Sequence, residues 1–278
     1  MSWRVIARRE FNDAVRSRLL WGLIAVVALM IALTSIVPLA IPAMNASALM
    51  GLGAASEFAA MLVPIVALVS AYLAIAGERE SGSLRLLLGL EPMRRRIILG
   101  KFLGRGGVVA VGLAIGFVLA SALSWVVYGG LPLDAFLAVL VLTVGLGVSF
   151  VGIAVGISAA TATRARAMML GIASYLGLAL LWDLLPQGAH LVVEGSPPGE
   201  SVPAWFLLLE GLSPSGAYSA LVTRALSAAD PALPGPMALL GGPVPVYLEW
   251  WVFVFVLVTW TVVPLVGGYW VFERADLN

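Results

Sequence analysis

Six stretches of this 278-residue chain are apolar for about the length of a membrane-spanning helix. A helix rises about 1.5 Å per residue, so roughly 20 apolar residues cross a hydrocarbon core of about 30 Å. The stretches are continuously apolar rather than alternating, and backbone groups in lipid must be satisfied within the segment, which favours helices over a barrel. We predict spans at about residues 19–41, 58–76, 106–127, 135–160, 167–185 and 247–271.

The composition excludes a water-soluble fold. Hydrophobic residues make up 61% of the chain and charged residues 11%, with a mean hydropathy of +1.04, whereas about a quarter of the residues in soluble proteins are charged. We therefore predict an all-α membrane protein whose six transmembrane helices lie in residues 19–278. The sequence has no cysteine, which removes thiolate metal sites, thiol nucleophiles and disulfides from consideration.

The basic residues predict the orientation of the chain. Six crossings place both termini on one side, and 15 of the 16 Lys and Arg residues fall on that side, with Arg224 as the exception. Because basic residues near span ends stay in the cytoplasm, we expect both termini and the segment 77–105 to be cytoplasmic, in a multi-pass protein of the cell membrane. The segment 77–105 holds seven of the 16 basic residues.

Residues 1–18 predict an amphipathic helix. Trp3, Ile6 and Phe11 follow helical spacing on one face, while Arg4 and Arg8 occupy the other. A basic face opposite aromatic side chains is typical of a helix that lies in the inner membrane interface. The alternative is that this segment is only a topology signal.

The long loop 186–246 falls on the outer side and contains two short apolar segments. Residues 203–212 are too short to span, and Ser213-Pro214 is a typical helix start with Ser as the N-cap. We expect both segments to re-enter the membrane or to lie on its outer leaflet. His190, the only histidine, is expected to be solvated there, and Asn45-Ala46-Ser47 is an external glycosylation sequon.

Small residues four positions apart let helix backbones approach closely. Gly112 and Gly116 are spaced in this way in the third predicted span, and Gly152 and Gly156 in the fourth. We expect these pairs to pack within one subunit rather than to form a dimer interface.

The motifs of common catalytic sites are missing from the sequence. Gly100-Lys101 lacks the rest of a phosphate-binding loop, and no ionisable residue lies near the middle of a predicted span. Ion-coupled carriers and intramembrane hydrolases need such groups at depth. We therefore predict no catalytic residue, no metal ligand and no cofactor, and expect the protein not to be an enzyme. The methionines are attributed to core filling.

The segment 77–105 also carries the residues of a family resemblance. The sequence resembles ABC-2 family permeases, the membrane subunits of type-2 ABC transporters, in its N-terminal stretch, in Leu212-Ser213-Pro214-Ser215 and above all in one pattern of the segment 77–105. That pattern is Gly77-Glu78-Arg79-Glu80-Ser81-Gly82-Ser83, then Leu86-Leu87, Pro92, Arg94-Arg95 and Leu99-Gly100-Lys101-Phe102.

The resemblance implies that two permease subunits pair as a homodimer and dock on separately encoded cytoplasmic ATPase subunits. The segment 77–105 would supply the coupling helix, for which Ser81 or Ser83 could act as a cap. The leucines from position 86 to 90 argue against an unpartnered solvated loop, and no nucleic-acid partner is expected. The residues assigned to ATPase coupling are Glu78, Arg79, Glu80, Gly82, Leu86, Leu87, Arg94, Arg95 and Arg96.

The predicted function is that of a permease subunit which moves a substrate with ATP hydrolysed by a partner chain. The alternative is a membrane scaffold or maturation factor whose external loop recruits an extracytoplasmic partner. A third possibility, an ATP-independent channel, is disfavoured by the uncharged spans. Within the family the chain is similar to the permease that helps to mature the copper sites of nitrous oxide reductase, and also to exporters of drugs, lipids, peptides or sodium.

Overall fold

A computed structural model describes residues 3–40, 47–84, 93–199, 201–240 and 243–275. Over these residues the chain is almost entirely helical and contains no strand, which confirms the all-α prediction. Asn45 of the predicted sequon lies outside the described residues.

The helices before residue 85 are α1 (Trp3–Val15), α2 (Arg18–Ser35), α3 (Ala48–Ala71) and α4 (Ala76–Glu80). The helices that follow it are α5 (Arg94–Tyr128), α6 (Leu133–Ala160), α7 (Arg164–Tyr175), α8 (Leu184–Glu194), α9 (Ala204–Glu210), α10 (Pro214–Ala229), α11 (Pro236–Leu240) and α12 (Trp250–Arg274). A π-helical turn, Leu176–Leu180, continues α7.

Five helical segments of the described chain are long and apolar enough to cross a membrane: α2, α3 with α4, α5, α6 and α12. A sixth crossing results if α7 with its π-helical turn and α8 are counted together, although they are bent by 50° at a short break. The break contains Trp182 and Asp183, and the indole of Trp182 donates a hydrogen bond of 2.9 Å to the Leu209 carbonyl oxygen.

Hydroxyl side chains set the starts of several helices, because the first backbone N–H groups of a helix have no partner within it. Ser17 accepts from Leu20 at 3.3 Å and Ser47 from Met50 at 3.2 Å. Ser213 accepts from the Gly216 N–H at 2.9 Å, with Pro214 at the first helical position. The helix start predicted at Ser213-Pro214 is confirmed.

Helix α6 is the centre of the bundle and packs against α3, α5, α10 and α12. Its contact with α12 depends on small residues, since a Cβ atom at Gly152 would lie 2.7 Å from the Thr261 carbonyl oxygen. On α5, a Cβ atom at Gly116 would lie 2.9 Å from the Cβ of Ala28 in α2. The glycine pairs therefore pack within the chain, as predicted.

The region expected as an external loop is mostly helical and packed. Tyr218 of α10 is fully buried, and its hydroxyl lies 3.0 Å from Oγ1 of Thr143 in α6. The prediction of a solvated His190 is wrong, because His190 is buried between the rings of Trp205 and Phe206. Packing against these rings outweighs the polarity of the imidazole, whose Nδ1 lies 2.9 Å from the Ser196 carbonyl oxygen.

Candidate functional site

Four charged side chains meet at the basal end, the end of the bundle that carries α1 and the last residues of α12. Lys101 Nζ lies 2.6 Å from Oε1 of Glu10 and 2.8 Å from Oε1 of Glu78. Arg105 Nε lies 2.8 Å from Oε2 of Glu10, and its Nη1 donates to the Ser70 carbonyl oxygen at 3.1 Å. We call Glu10, Glu78, Lys101 and Arg105 the basal ion-pair cluster.

The cluster joins three parts of the chain: Glu10 comes from α1, Glu78 from α4, and the two cations from successive turns of α5. Residues four positions apart lie on the same face of a helix, so Lys101 and Arg105 point toward the same partners. Neither α1 nor α4 is long enough to span the membrane by itself, and α4 forms the end of the segment that begins with α3. The cluster therefore fastens two short helices at the membrane boundary to a spanning helix.

Two glycines of α5 allow α1 to approach closely enough for these ion pairs. A Cβ atom at Gly100 would lie 2.6 Å from the Cβ of Ile6, and one at Gly104 would lie 2.7 Å from the Ala7 carbonyl oxygen. Any larger residue at Gly104 would push α1 away from α5. The close approach brings the Glu10 carboxylate within reach of both cations.

Because the central groups of the cluster are buried, each of their charges needs a partner of opposite sign. The side chain of Lys101 is only 1% exposed and that of Glu10 only 7%. Burial alone would raise the pKa of Glu10, but the charges of Lys101 and Arg105 outweigh it and hold that pKa below its ordinary value. The two carboxylates balance the two cations, as buried charges require.

One acceptor of the cluster is unfilled. The Oε2 atom of Glu78 is buried and accepts no hydrogen bond from the described residues. A buried carboxylate oxygen without a donor is costly, so it favours the approach of a donor.

The turn from α3 through α4 is also fastened to the α6–α7 junction. The Ser158 hydroxyl of α6 accepts from the backbone N–H groups of Ile75 at 2.9 Å and Ala76 at 3.0 Å. The carboxylate of Glu80 accepts from the Arg164 N–H at 2.6 Å. After α4, Gly82 adopts φ +76°, a left-handed conformation that favours glycine. We call residues 72–84 the basal turn.

Arg94, the first residue of α5, lies against the end of α12. Its Nη1 donates to the carbonyl oxygens of Glu273 at 3.0 Å and Ala275 at 3.1 Å, and also to that of Phe272. The guanidinium carbon lies 5.2 Å from the centroid of the Phe272 ring. A cation at the C-terminal carbonyls of a helix satisfies their unpaired acceptors and the helix dipole.

The residues assigned to ATPase coupling thus occupy different surroundings. Glu78 and Arg94 turn inward, Glu80 pairs with Arg164, and Arg95 is exposed. The remaining members of the set are Arg79 and Arg96, which are partly buried, Gly82, which forms the positive-φ bend, and Leu86 and Leu87, which lie outside the described residues. Their contact with an ATPase stays a prediction.

Sequence reasoning did not predict that Glu10, Lys101 and Arg105 form an ion-pair cluster with Glu78. A signal was present in α1, because the buried positions Ile6, Glu10 and Ala14 share one face at intervals of four. A carboxylate on the apolar face of an amphipathic helix indicates a buried cationic partner.

A second polar region lies at the other end of the bundle, around a cavity of about 430 Å³. Glu57, Asp183 and Glu210 line it together with apolar residues. Burial, and then the charges of Asp183 and Glu57, raise the pKa of Glu210. No group of three His, Asp or Glu side chains in the described chain is close enough to hold a metal ion.

Comparison with known proteins agrees with this architecture. Residues 4–277 match the family described as ABC-2 family transporter protein. A protein of Stutzerimonas stutzeri named probable ABC transporter permease protein NosY is 31% identical over 97% of each chain. A protein of the same name from Pseudomonas aeruginosa is 30% identical over 87% of each chain. The chain therefore belongs to the ABC-2 family, as a multi-pass permease subunit of an ABC transporter.

Proposed function

We propose that this permease subunit moves a substrate across the cell membrane by using ATP that a separate cytoplasmic ATPase subunit hydrolyses. The observation that carries the proposal is the basal ion-pair cluster, because it connects Glu78 of the basal turn to the spanning helix α5. A force applied at the basal turn would reach the bundle through charged contacts that are buried and short. Two permease copies would form the complete transport unit.

The basal turn is attached to two helices, which supports its proposed role in transmitting ATPase motion to the bundle. Glu78 ties the turn to α5 through Lys101, whereas Ile75 and Ala76 tie it to α6 through Ser158. A displacement of the turn would shift both helices, because breaking either contact would leave buried polar groups unpaired. A solvated loop held in place by charge alone would have no such contacts.

The exposed side of the basal turn would meet the ATPase. Glu78 and Arg94 serve contacts within the chain, so direct contact falls to Arg79 of the basal turn and, beyond the turn, to Arg95 and the Leu86-Leu87 pair. Glu80 and Arg96 would lie at the edge of that contact, and Gly82 would set the bend between them.

We also propose that both termini, and with them the basal end, face the cytoplasm. The excess of basic residues on that side supports this orientation. In this arrangement residues 186–246 face outward. Single cysteines introduced into the cysteine-free chain would test it: a residue of the basal end should react with an impermeant thiol reagent only after the membrane is opened.

A second function is supported by the relatives named NosY and by the resemblance to the permease that helps to mature the copper sites of nitrous oxide reductase. In that role the packed outer helices α8 to α10 would recruit an extracytoplasmic partner. Cross-linking in intact cells distinguishes the two proposals. A cross-linked extracytoplasmic protein would favour the maturation role, while transport into or out of vesicles without such a protein would favour a self-contained transporter.

Affinity purification of the full chain from its native membrane tests the primary proposal. We expect an ATPase subunit to copurify with wild-type protein and with the Glu78→Gln variant, whose effect would be on coupling rather than docking. Asp13→Asn is the matched control, since Asp13 is an exposed carboxylate in a surface ion pair with Arg9. Absence of any ATPase from the wild-type sample would overturn the proposal.

A further inference from the structure

A basic cleft opens at the basal end between α7 and α12. The cavity measures about 1010 Å³, and its lining includes the arginines at positions 79, 166 and 274. Arg166 lies in the first turn of α7 and Arg274 is the last residue of α12. Since both residues lie at helix ends, the cleft is at the level where the bundle leaves the hydrocarbon core.

These three guanidinium groups have no acidic partner in the described chain. No Asp or Glu lines the cleft, and no ion pair joins its arginines to a described carboxylate. The nearby acids are engaged elsewhere: Glu80 with Arg164, and Glu273 with the Tyr269 hydroxyl at 2.6 Å. Three like charges around one cleft favour the binding of an anion.

Most of the remaining lining is apolar, and its large side chains come from α7 and α12. Met169 and Leu170 of α7 face the cleft together with Trp270 and Val271 of α12. Met169 and Trp270 are each 60% exposed. Exposed apolar side chains continue along α7 at Ile172 and beyond, so the apolar floor of the cleft continues into an exposed apolar surface of the bundle. A tryptophan at this depth is typical of the membrane–water interface.

We propose that this cleft binds an anionic phospholipid. Its phosphate and headgroup would lie against Arg166 and Arg274, and an acyl chain would follow the apolar floor past Trp270. A free phosphate would use the arginines but leave the apolar floor uncovered, which is why the lipid fits better. Basic pockets between spanning helices on the cytoplasmic side bind anionic headgroups by the same chemistry. The cytoplasmic location rests on the orientation proposed above, whereas the lipid chemistry does not.

Native mass spectrometry of the full chain in detergent tests the proposal, with phosphatidylglycerol and phosphatidylcholine of identical acyl chains as probes. We expect wild-type protein to retain phosphatidylglycerol in preference to phosphatidylcholine. The Arg166→Gln/Arg274→Gln variant should bind phosphatidylglycerol about tenfold more weakly or worse, since each arginine near an anionic headgroup contributes on the order of 1 kcal/mol. Arg79 stays unchanged in this variant, so that ATPase coupling is not disturbed.

Two further variants make the result specific. Arg8→Gln/Arg16→Gln removes the same charge from two exposed positions, one in α1 and one directly after it, and should leave phosphatidylglycerol binding near the wild-type level. Arg166→Lys/Arg274→Lys keeps the charge and should retain most of the binding. Equal retention of the two lipids by wild-type protein, or an unchanged affinity of the Gln variant, would overturn the proposal. Complete displacement of the lipid by millimolar inorganic phosphate would also overturn it, in favour of a free-anion site.

Discussion

Lys101 Nζ lies 2.6 Å from Glu10 Oε1, although the two residues are 91 positions apart in the chain. This pair anchors the N-terminal helix to the third spanning segment. Of the two interpretations of residues 1–18, a helix in the membrane interface and a simple topology signal, the contact supports the first. A topology signal would need only basic charge, whereas α1 packs along α5 and contributes a buried carboxylate.

We predict that Lys101→Met strongly destabilises the protein. The change leaves Glu10 and Glu78 without their shared cation, and removing one partner of a buried ion pair costs about 3–5 kcal/mol. The midpoint of thermal unfolding in detergent measures the effect. The matched control is Arg9→Met, because Arg9 and Asp13 form an exposed pair and such pairs contribute less than about 1 kcal/mol. Equal midpoints for the two variants would show that the cluster carries no stability.

We predict that Gly104→Ala loosens α1 from α5. The added Cβ would lie 2.7 Å from the Ala7 carbonyl oxygen and 2.6 Å from the Cβ of Glu10, and overpacking of this kind costs about 1–3 kcal/mol. Gly106→Ala is the control, since no atom lies within 4 Å of its added Cβ. Limited proteolysis should release α1 faster from the Gly104 variant alone. Similar cleavage of both variants would contradict the tight packing.

The stability that Glu10 contributes should depend on pH. Its pKa is lowered in the folded protein, so the contribution is complete above the ordinary value of 4.5 and is lost as the pH falls through the folded pKa. We expect the difference in unfolding midpoint between wild-type protein and Glu10→Gln to shrink between about pH 7 and about pH 3. A difference that grows on acidification would mean that the folded pKa is raised instead.

Substitutions at Arg94 and Arg95 should distinguish a structural role, at the end of α12, from a role in ATPase coupling. Arg94→Gln removes the cation that donates to the last carbonyl groups of α12. A cation at a helix C-terminus stabilises the helix by about 0.3–1 kcal/mol. Hydrogen exchange at residues 270–275 should therefore become faster in that variant. The neighbouring change, Arg95→Gln, should leave exchange there unchanged and weaken ATPase binding. Equal exchange in both variants would contradict the capping role of Arg94.

The sequence was sufficient for the helical class and the family, because long apolar runs determine spans without reference to other parts of the chain. It was also sufficient for the helix start at Ser213-Pro214, because the Ser213 hydroxyl accepts a hydrogen bond from the N–H of Gly216, only three residues later. It did not place Glu10 beside Lys101, since that contact depends on the tertiary docking of α1. The burial of His190 escaped prediction for the same reason: its aromatic neighbours come from α9.

The fifth predicted span shows a different limit. Residues 167–185 were predicted as one continuous crossing, whereas the structure has a π-helical turn at Leu176–Leu180 and a 50° bend before α8. Mean hydropathy does not distinguish a straight apolar segment from a bent one, because it averages over residue types and contains no tertiary contacts. One such contact at the bend is the hydrogen bond from Trp182 to the Leu209 carbonyl oxygen.

The central claim is that ATPase motion enters the bundle through Glu78, and a distance measurement tests it most directly. Because the sequence has no cysteine, Val126→Cys places one spin label per copy at an exposed position of α5, where Val126 is 81% exposed. Pulsed electron paramagnetic resonance of the purified permease–ATPase complex then measures the distance between the two copies with and without trapped nucleotide. We expect the distance to change on trapping in the Val126→Cys protein and in its Asp13→Asn derivative, but not in its Glu78→Gln derivative, even though that variant still hydrolyses ATP. A Glu78→Gln complex whose labels move as far as those of the control would contradict the account.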